Sequence, residues 1–128
     1  MAAQRHRVAS ASPFEETIGF SRAVRVGERV IVAGTAPVLP SGGCPEGAGA
    51  QARRCFEIIA TALEEAGATL EHVVRTRMYL TAASDAEVVG AVHGELFGTV
   101  RPAATMVVVA GLLDPAWKVE VEAEAVVP

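Results

Sequence analysis

Arg101-Pro102-Ala103-Ala104-Thr105-Met106-Val107-Val108-Val109-Ala110 is the stretch whose reading decides the fold. Pro102 cannot donate to a ladder and so fits the first position of a strand, while the β-branched residues after it favour a pleated, buried surface. The apolar run is too short to cross a membrane. It reads as the central strand of a sheet.

Working outward, residues 111–116 form a turn, and residues 118–127 return as a strand. There Val119, Val121, Ala123, Ala125 and Val127 share one face, with Glu120, Glu122 and Glu124 on the other. Upstream, Ser84-Asp85-Ala86-Glu87 matches a capping box, and Val88, Val89, Val92, Leu96 and Phe97 continue as a helix stopped by Gly98. Residues 73–80 alternate as a strand. Ala52, Phe56, Ile59, Leu63 and Ala66 recur at helical spacing before a stop at Gly67. Residues 37–49 are broken by Pro37, Pro40, Gly42, Gly43, Pro45 and Gly47, so they connect rather than continue either period. Residues 20–26 and 29–35 read as a hairpin closed by Gly27-Glu28, a pair suited to a type II′ turn. Residues 7–9 are a short edge strand, and residues 10–16 a polar loop.

The chain has 128 residues and a formal net charge of −4, with its arginines scattered. One domain spanning residues 1–128 is expected, with no nucleic-acid partner. No apolar segment follows the basic residues of the N-terminus, and no window approaches ~18 apolar residues, so a cytoplasmic protein with no membrane partner is expected. Cys44 and Cys55 form neither a disulfide framework nor a zinc spacing and read as plain thiols.

Two helices cover one face of such a sheet, yet residues 30–33 and 106–110 place apolar side chains on both. If Val107 and Val109 meet the helices, Met106 and Val108 point away. A closed homo-oligomer packed through the helix-free faces is the expected solution.

His6, His72 and His93 share no ligand spacing with one another or with a cysteine, so no metal site is expected; His93 reads as structural. The glycines near Gly42 and Gly47 lack the residues of a phosphate loop. The glutamates of the last strand read first as a solvated edge. Glu120, nearest the strand's start, is also the candidate general base, because a carboxylate held where an apolar wall meets a cleft can take a proton from water or orient it. Arg22 is the matching cation, either as an anion partner or as a stem covering apolar surface.

The texts Gly27-Glu28-Arg29-Val30-Ile31-Val32-Ala33-Gly34-Thr35, Gln51-Ala52-Arg53-Arg54, Val73-Val74-Arg75-Thr76, Arg101-Pro102-Ala103 and Val119-Glu120-Val121-Glu122-Ala123, in this order, resemble the Rid (YjgF-like) family over nearly the whole chain. The resemblance implies an α+β, chorismate-mutase-like fold: a mixed sheet with two helices on one face, assembled as a homotrimer with a central barrel and inter-subunit clefts. It also implies hydrolysis of reactive enamines and imines, such as 2-aminoacrylate, to 2-keto acids and ammonia without a cofactor. The family's deaminases place a carboxylate-anchoring arginine after the Pro-Ala pair, where this chain has Ala104. The same alignment puts Phe20 at a tyrosine, Ala33 at a serine, Gly90 at an asparagine and Met106 at a cysteine; only Glu120 keeps the polar type. The chain is similar to a Rid branch lacking that arginine. Its implied small-molecule site is lined by Phe20, Arg22, Ala33, Gly34, Gly90, Ala104, Met106 and Trp117, with Glu120 catalytic. It suits a larger or uncharged ligand, turned over as an imine or merely bound by a non-catalytic sensor or partner-binding trimer. RNA cleavage has no base and nucleophile pair to carry it.

Overall fold

The computed structural model describes residues 4–10 and 12–128. The N-terminal basic segment therefore lies partly, and Ala11 of the expected polar loop wholly, outside the described residues. Six strands and two α-helices follow in the order β1 (Arg5–Val8), β2 (Ala23–Val26), β3 (Arg29–Thr35), α1 (Ala48–Glu65), β4 (Val73–Leu80), α2 (Ala86–Phe97), β5 (Ala103–Val108) and β6 (Val119–Val126). They build one mixed sheet in the order β1-β2-β3-β6-β4-β5, antiparallel except for β4 and β5, which α2 joins as a parallel pair.

Periodicity explains most of this. β6 buries Val119, Val121, Ala123 and Ala125 and leaves the intervening glutamates partly exposed, as strict alternation requires. α1 buries Gln51, Ala52, Cys55, Phe56, Ile59, Ala62 and Leu63 along one stripe, which packs on β3 and β6. The helix closes in a Schellman motif: Gly67 adopts φ 82°, its N–H donates to Glu64 O at 3.0 Å, and the Ala68 N–H donates to Leu63 O at 2.8 Å. Arg25 adds an Nη1 donor to Ala66 O at 2.7 Å, a cation at the helix's negative end. The hairpin turn is as expected, with Gly27 at φ 60° and Glu28 outside the left-handed region. Both helices lie over one face. Phe56, His93 and Phe97 interlock there edge-on or tilted, with centroids 4.7–5.8 Å apart; truncating either buried phenylalanine costs about 3–5 kcal/mol.

The opening stretch is an edge strand and not the central one. β5 pairs only with β4, and most of its side chains are exposed; β3, β6 and β4 hold the middle of the sheet. An apolar run cannot by itself distinguish a strand buried within its own chain from one whose free side awaits another partner. Its parity is also reversed: Met106 packs toward the core, whereas Val107 is 41% exposed on the helix-free side beside Tyr79. That face is less apolar than expected. Ile31 and Val107 are interleaved with an Arg77–Glu122 ion pair at 3.1 Å, a Tyr79 hydroxyl donating to Glu122 at 2.6 Å, and an Arg29–Glu124 pair at 3.5 Å.

Local details differ as well. β2 starts at Ala23 and not at Phe20, and the chain before it forms a π-turn over Glu15–Gly19, where the sequence reads as a loop as far as Glu16. The capping box at Ser84 is not made; residues Ala83–Asp85 form a 3₁₀ turn, and Asp85 takes the cap position without a side-chain bond. Arg101, at φ 54°, is the one non-glycine in the left-handed region among the described residues; its N–H donates to Phe97 O at 2.8 Å, so the turn out of α2 is completed there. Among the described residues no helix is long and apolar enough to cross a membrane.

Candidate active site

The arrangement around Glu120 starts with a bulge. Val32 pairs with Ala123 and Thr35 with Val121, so Ala33 and Gly34 together face one residue of β6. The extra residue lets Val32 and Thr35, three positions apart, both turn into the core. It also brings the Gly34 backbone against the side chain of Glu120. A Cβ on Gly34 would lie 2.7 Å from Glu120 Oε2, so only glycine permits this approach without moving the carboxylate.

Arg22 reaches the same place from the residue before β2. Its backbone is tied on both sides, with its N–H donating to Val8 O at 2.8 Å and its carbonyl accepting from Ala33 N at 2.9 Å. Its Nη1 donates to Gly34 O at 3.1 Å and to Thr35 Oγ1 at 2.8 Å, and the fully buried Thr35 hydroxyl donates in turn to Ala33 O at 2.8 Å. The Phe20 ring lies 5.8 Å from the guanidinium carbon. The Arg22 Nε is buried without a partner. Phe20, Arg22, Ala33, Gly34 and Glu120 are thus one neighbourhood, and Arg22 is a clamp on the bulge as much as a cation.

The two charges feel each other without touching, for no ion pair among the described residues joins them. Burial holds the Glu120 carboxyl above its ordinary range, opposed by Arg22 and reinforced by Glu122. Burial also lowers Arg22, against the pull of Glu120 and Glu15. In both groups desolvation outweighs attraction. Glu120 is therefore a carboxyl whose proton is held more tightly than usual, which is the property a general acid or base near neutral pH needs.

Gly90, Ala104 and Met106 gather elsewhere, on the other side of the sheet near its β5 edge. Ala104 pairs with Thr76 and Met106 with Met78, both core residues, and a Cβ on Gly90 would sit 4.0 Å from Met106 Cε. Thr76 Oγ1 and His93 Nε2 share a 2.8 Å hydrogen bond beneath them, and burial draws His93 below its ordinary value and so toward the neutral ring. Gly90 and Ala104 themselves bring no charged side chain to this edge. Trp117 stands in the turn before β6, half-buried. Two hollows, about 220 Å³ beside Arg22 and Arg54 and about 140 Å³ beside Arg77 and Glu122, are lined by residues other than Glu120. Among the described residues no cluster of metal-ligating side chains is present.

One chain does not bring Glu120 and Ala104 into one pocket. Glu120 lies between Val119 and Val121, which face the helices, and so projects to the helix-free side; Ala104 lies on the helix side, beside Thr76. Sequence reasoning missed Thr35, Tyr79 and Glu122, which fix and polarise the Glu120 region. Tyr79 is the cross-strand neighbour of Glu120, but that follows only from pairing β4 with β6, strands separated by a helix and another strand.

This arrangement has close relatives. The pattern of the family described as Endoribonuclease L-PSP matches residues 11–127. An uncharacterised protein of Streptomyces coelicolor is 44% identical over 123 residues, 93% of this chain and 90% of its own. A crystal structure from Mycobacterium tuberculosis, of a member of the YjgF/YER057c/UK114 family, superposes with a TM-score of 0.90 at 46% identity, covering 97% of this chain and all of that one. The YjgF protein of Escherichia coli superposes with a TM-score of 0.80 at 29% identity, over 94% and 92% of the two chains. The fold expected from the resemblance, an α+β chorismate-mutase-like mixed sheet, is the one these structures share, and the chain belongs to the YjgF/Rid-type family described as Endoribonuclease L-PSP.

Proposed function

We propose that this small-molecule-binding Rid-like protein works as a homotrimer in the cytoplasm, with ligand sites in the clefts between subunits, and hydrolyses an imine or enamine there. The observation that carries the reading is Glu120: a desolvated carboxyl held above its ordinary range, given space by Gly34, with Arg22 opposing but not neutralising it. Deprotonated Glu120 takes a proton from water as the water oxygen adds to the imine carbon. The proton held by Glu120 passes to nitrogen, the hydroxyl proton of the adduct follows it as the C–N bond breaks and the C=O bond forms, and a carbonyl compound and ammonia leave with Glu120 deprotonated again. This chemistry calls on no cofactor. The separation of Glu120 and Ala104 on opposite faces supports the inter-subunit cleft, because only a second copy can bring an Ala104 edge to a Glu120 face. Phe20, Ala33, Gly34, Gly90, Ala104, Met106 and Trp117 line this cleft and make it roomy and apolar, so the substrate is larger or less charged than 2-aminoacrylate.

The test is ammonia release from a panel of imines generated in situ, including large apolar ones. Glu120→Gln is expected to lose roughly 10²–10⁴-fold in rate. Full activity in that variant removes the proposed role, and no turnover across the panel removes the enzyme.

A non-catalytic ligand sensor is the second reading, and one contact favours it. Arg22, the cation whose charge acts on the Glu120 carboxyl, already spends Nη1 on Gly34 O and Thr35 Oγ1. Stabilisation by a metabolite without turnover is its expected signature. RNA cleavage, which the family description names, gains no support here: the chain is acidic at −4.

A further inference from the structure

Gln51 is the most completely engaged buried polar side chain in the described residues, and its position in the first part of α1 gives no obvious reason for it. It is 2% exposed. Its Nε2 donates to Pro45 O and to Ala116 O, each at 3.0 Å, with Cys44 Sγ at 3.6 Å, and its Oε1 accepts from Lys118 N at 2.7 Å. A glutamine ends in an amide with the donor and acceptor set of a peptide unit. Here it replaces a missing strand neighbour: it binds the backbone on both sides of Trp117 and joins that turn to the loop before α1.

The same turn is held from its other side. Ala116 N donates to Asp114 Oδ1 at 2.8 Å, Trp117 N to Asp114 O at 3.0 Å, and Thr81 N to Lys118 O at 3.1 Å. Lys118 leads directly into β6, whose second residue is Glu120. The backbone that aims both Trp117 and Glu120 therefore rests on a side chain that touches neither of their functional groups.

We infer that Gln51 is a positioning residue, which sets Trp117 and Glu120 in the ligand cleft by clamping the entry of β6 to α1. The inference rests on the reading of Glu120 and Trp117 as site residues, but its test needs no turnover. Trp117 is the single tryptophan of the chain, so its fluorescence reports on this turn alone.

Gln51→Leu removes every bond at once. Gln51→Glu keeps the acceptor for Lys118 N but, when ionised, sets a carboxylate against the Pro45 and Ala116 carbonyls. The expected result for both, in protein whose far-UV circular dichroism is unchanged, is a red-shifted Trp117 emission with steeper acrylamide quenching. The Glu120 carboxyl, followed by carbon NMR, is expected to move toward its ordinary value. Acidification that protonates the introduced carboxylate of Gln51→Glu restores one donor and is expected to bring the emission part of the way back. An unshifted Trp117 spectrum and an unshifted Glu120 titration in folded Gln51→Leu overturn the inference. Wild-type hydrogen exchange keeps it testable if neither variant folds: the Lys118 amide is expected to exchange as slowly as the core amides of β6, and rapid exchange there overturns it. Failure of the imine panel with these signals intact would fault the proposed reaction and not the clamp.

Discussion

The Glu120 end of the sheet and the β5 edge face opposite ways and are built by opposite strategies. Around Glu120 the chain accepts a bulge, a desolvated carboxyl and a guanidinium with a buried, unpartnered nitrogen, each of which costs stability. Around Ala104 it carries the smallest side chains available, over a settled base in which Thr76 and His93 satisfy each other and the aromatic rings interlock. The first region stores electrostatic tension and the second stores open space. A protein tuned only for stability would have neither; in the proposed inter-subunit cleft the first would supply the chemistry and the second the shape.

Refilling the open side is the stronger way to break that contrast. Ala104→Arg puts a guanidinium on an exposed edge position, so folding stability should change by no more than about 0.5 kcal/mol. Affinity for small 2-keto acids should rise by about 1.5–3 kcal/mol for a charge-assisted hydrogen bond, roughly 10- to 150-fold. Calorimetry against pyruvate measures this, and unchanged affinity would mean that Ala104 does not line the ligand site.

Relaxing the tense side has a smaller effect and a definite sign. Because the folded-state pKa of Glu120 lies above its unfolded value, the fold favours the protonated carboxyl. That contribution is fully present below the unfolded pKa and is lost as pH rises through the folded one. Glu120→Gln, which cannot ionise, should therefore melt slightly higher than the wild type at neutral pH, with the gap closing on acidification. Melting curves from acidic to neutral pH would show it; a variant less stable at neutral pH would mean that Glu120 is held by attraction and not by desolvation.

Much of this was legible in the chain. The strand read over residues 73–80 has the bounds of β4, although its alternation breaks at Val73 and Val74, where the register with β6 shifts, and the glutamate periodicity of residues 118–127 places Glu120 on the correct side of β6. These are local patterns written by burial. The rank of β5 in the sheet was not legible, because Val107 and Val108 look the same in sequence whether covered by their own chain or by another copy. Nor was the bulge at Ala33 and Gly34: strand period alone would put Val32 and Thr35 on opposite faces, and only the Thr35 bond network with Arg22 shows why both turn inward. Nor is the role of Gln51 legible in sequence, since its partners lie 6 to 67 positions away.

The central claim is that the Glu120 face and the Ala104 edge of different copies meet to form the site. Size-exclusion chromatography with light scattering at micromolar concentration tests it most directly. The account predicts a single species of three times the 13.3 kDa chain mass, and a monomer would contradict it.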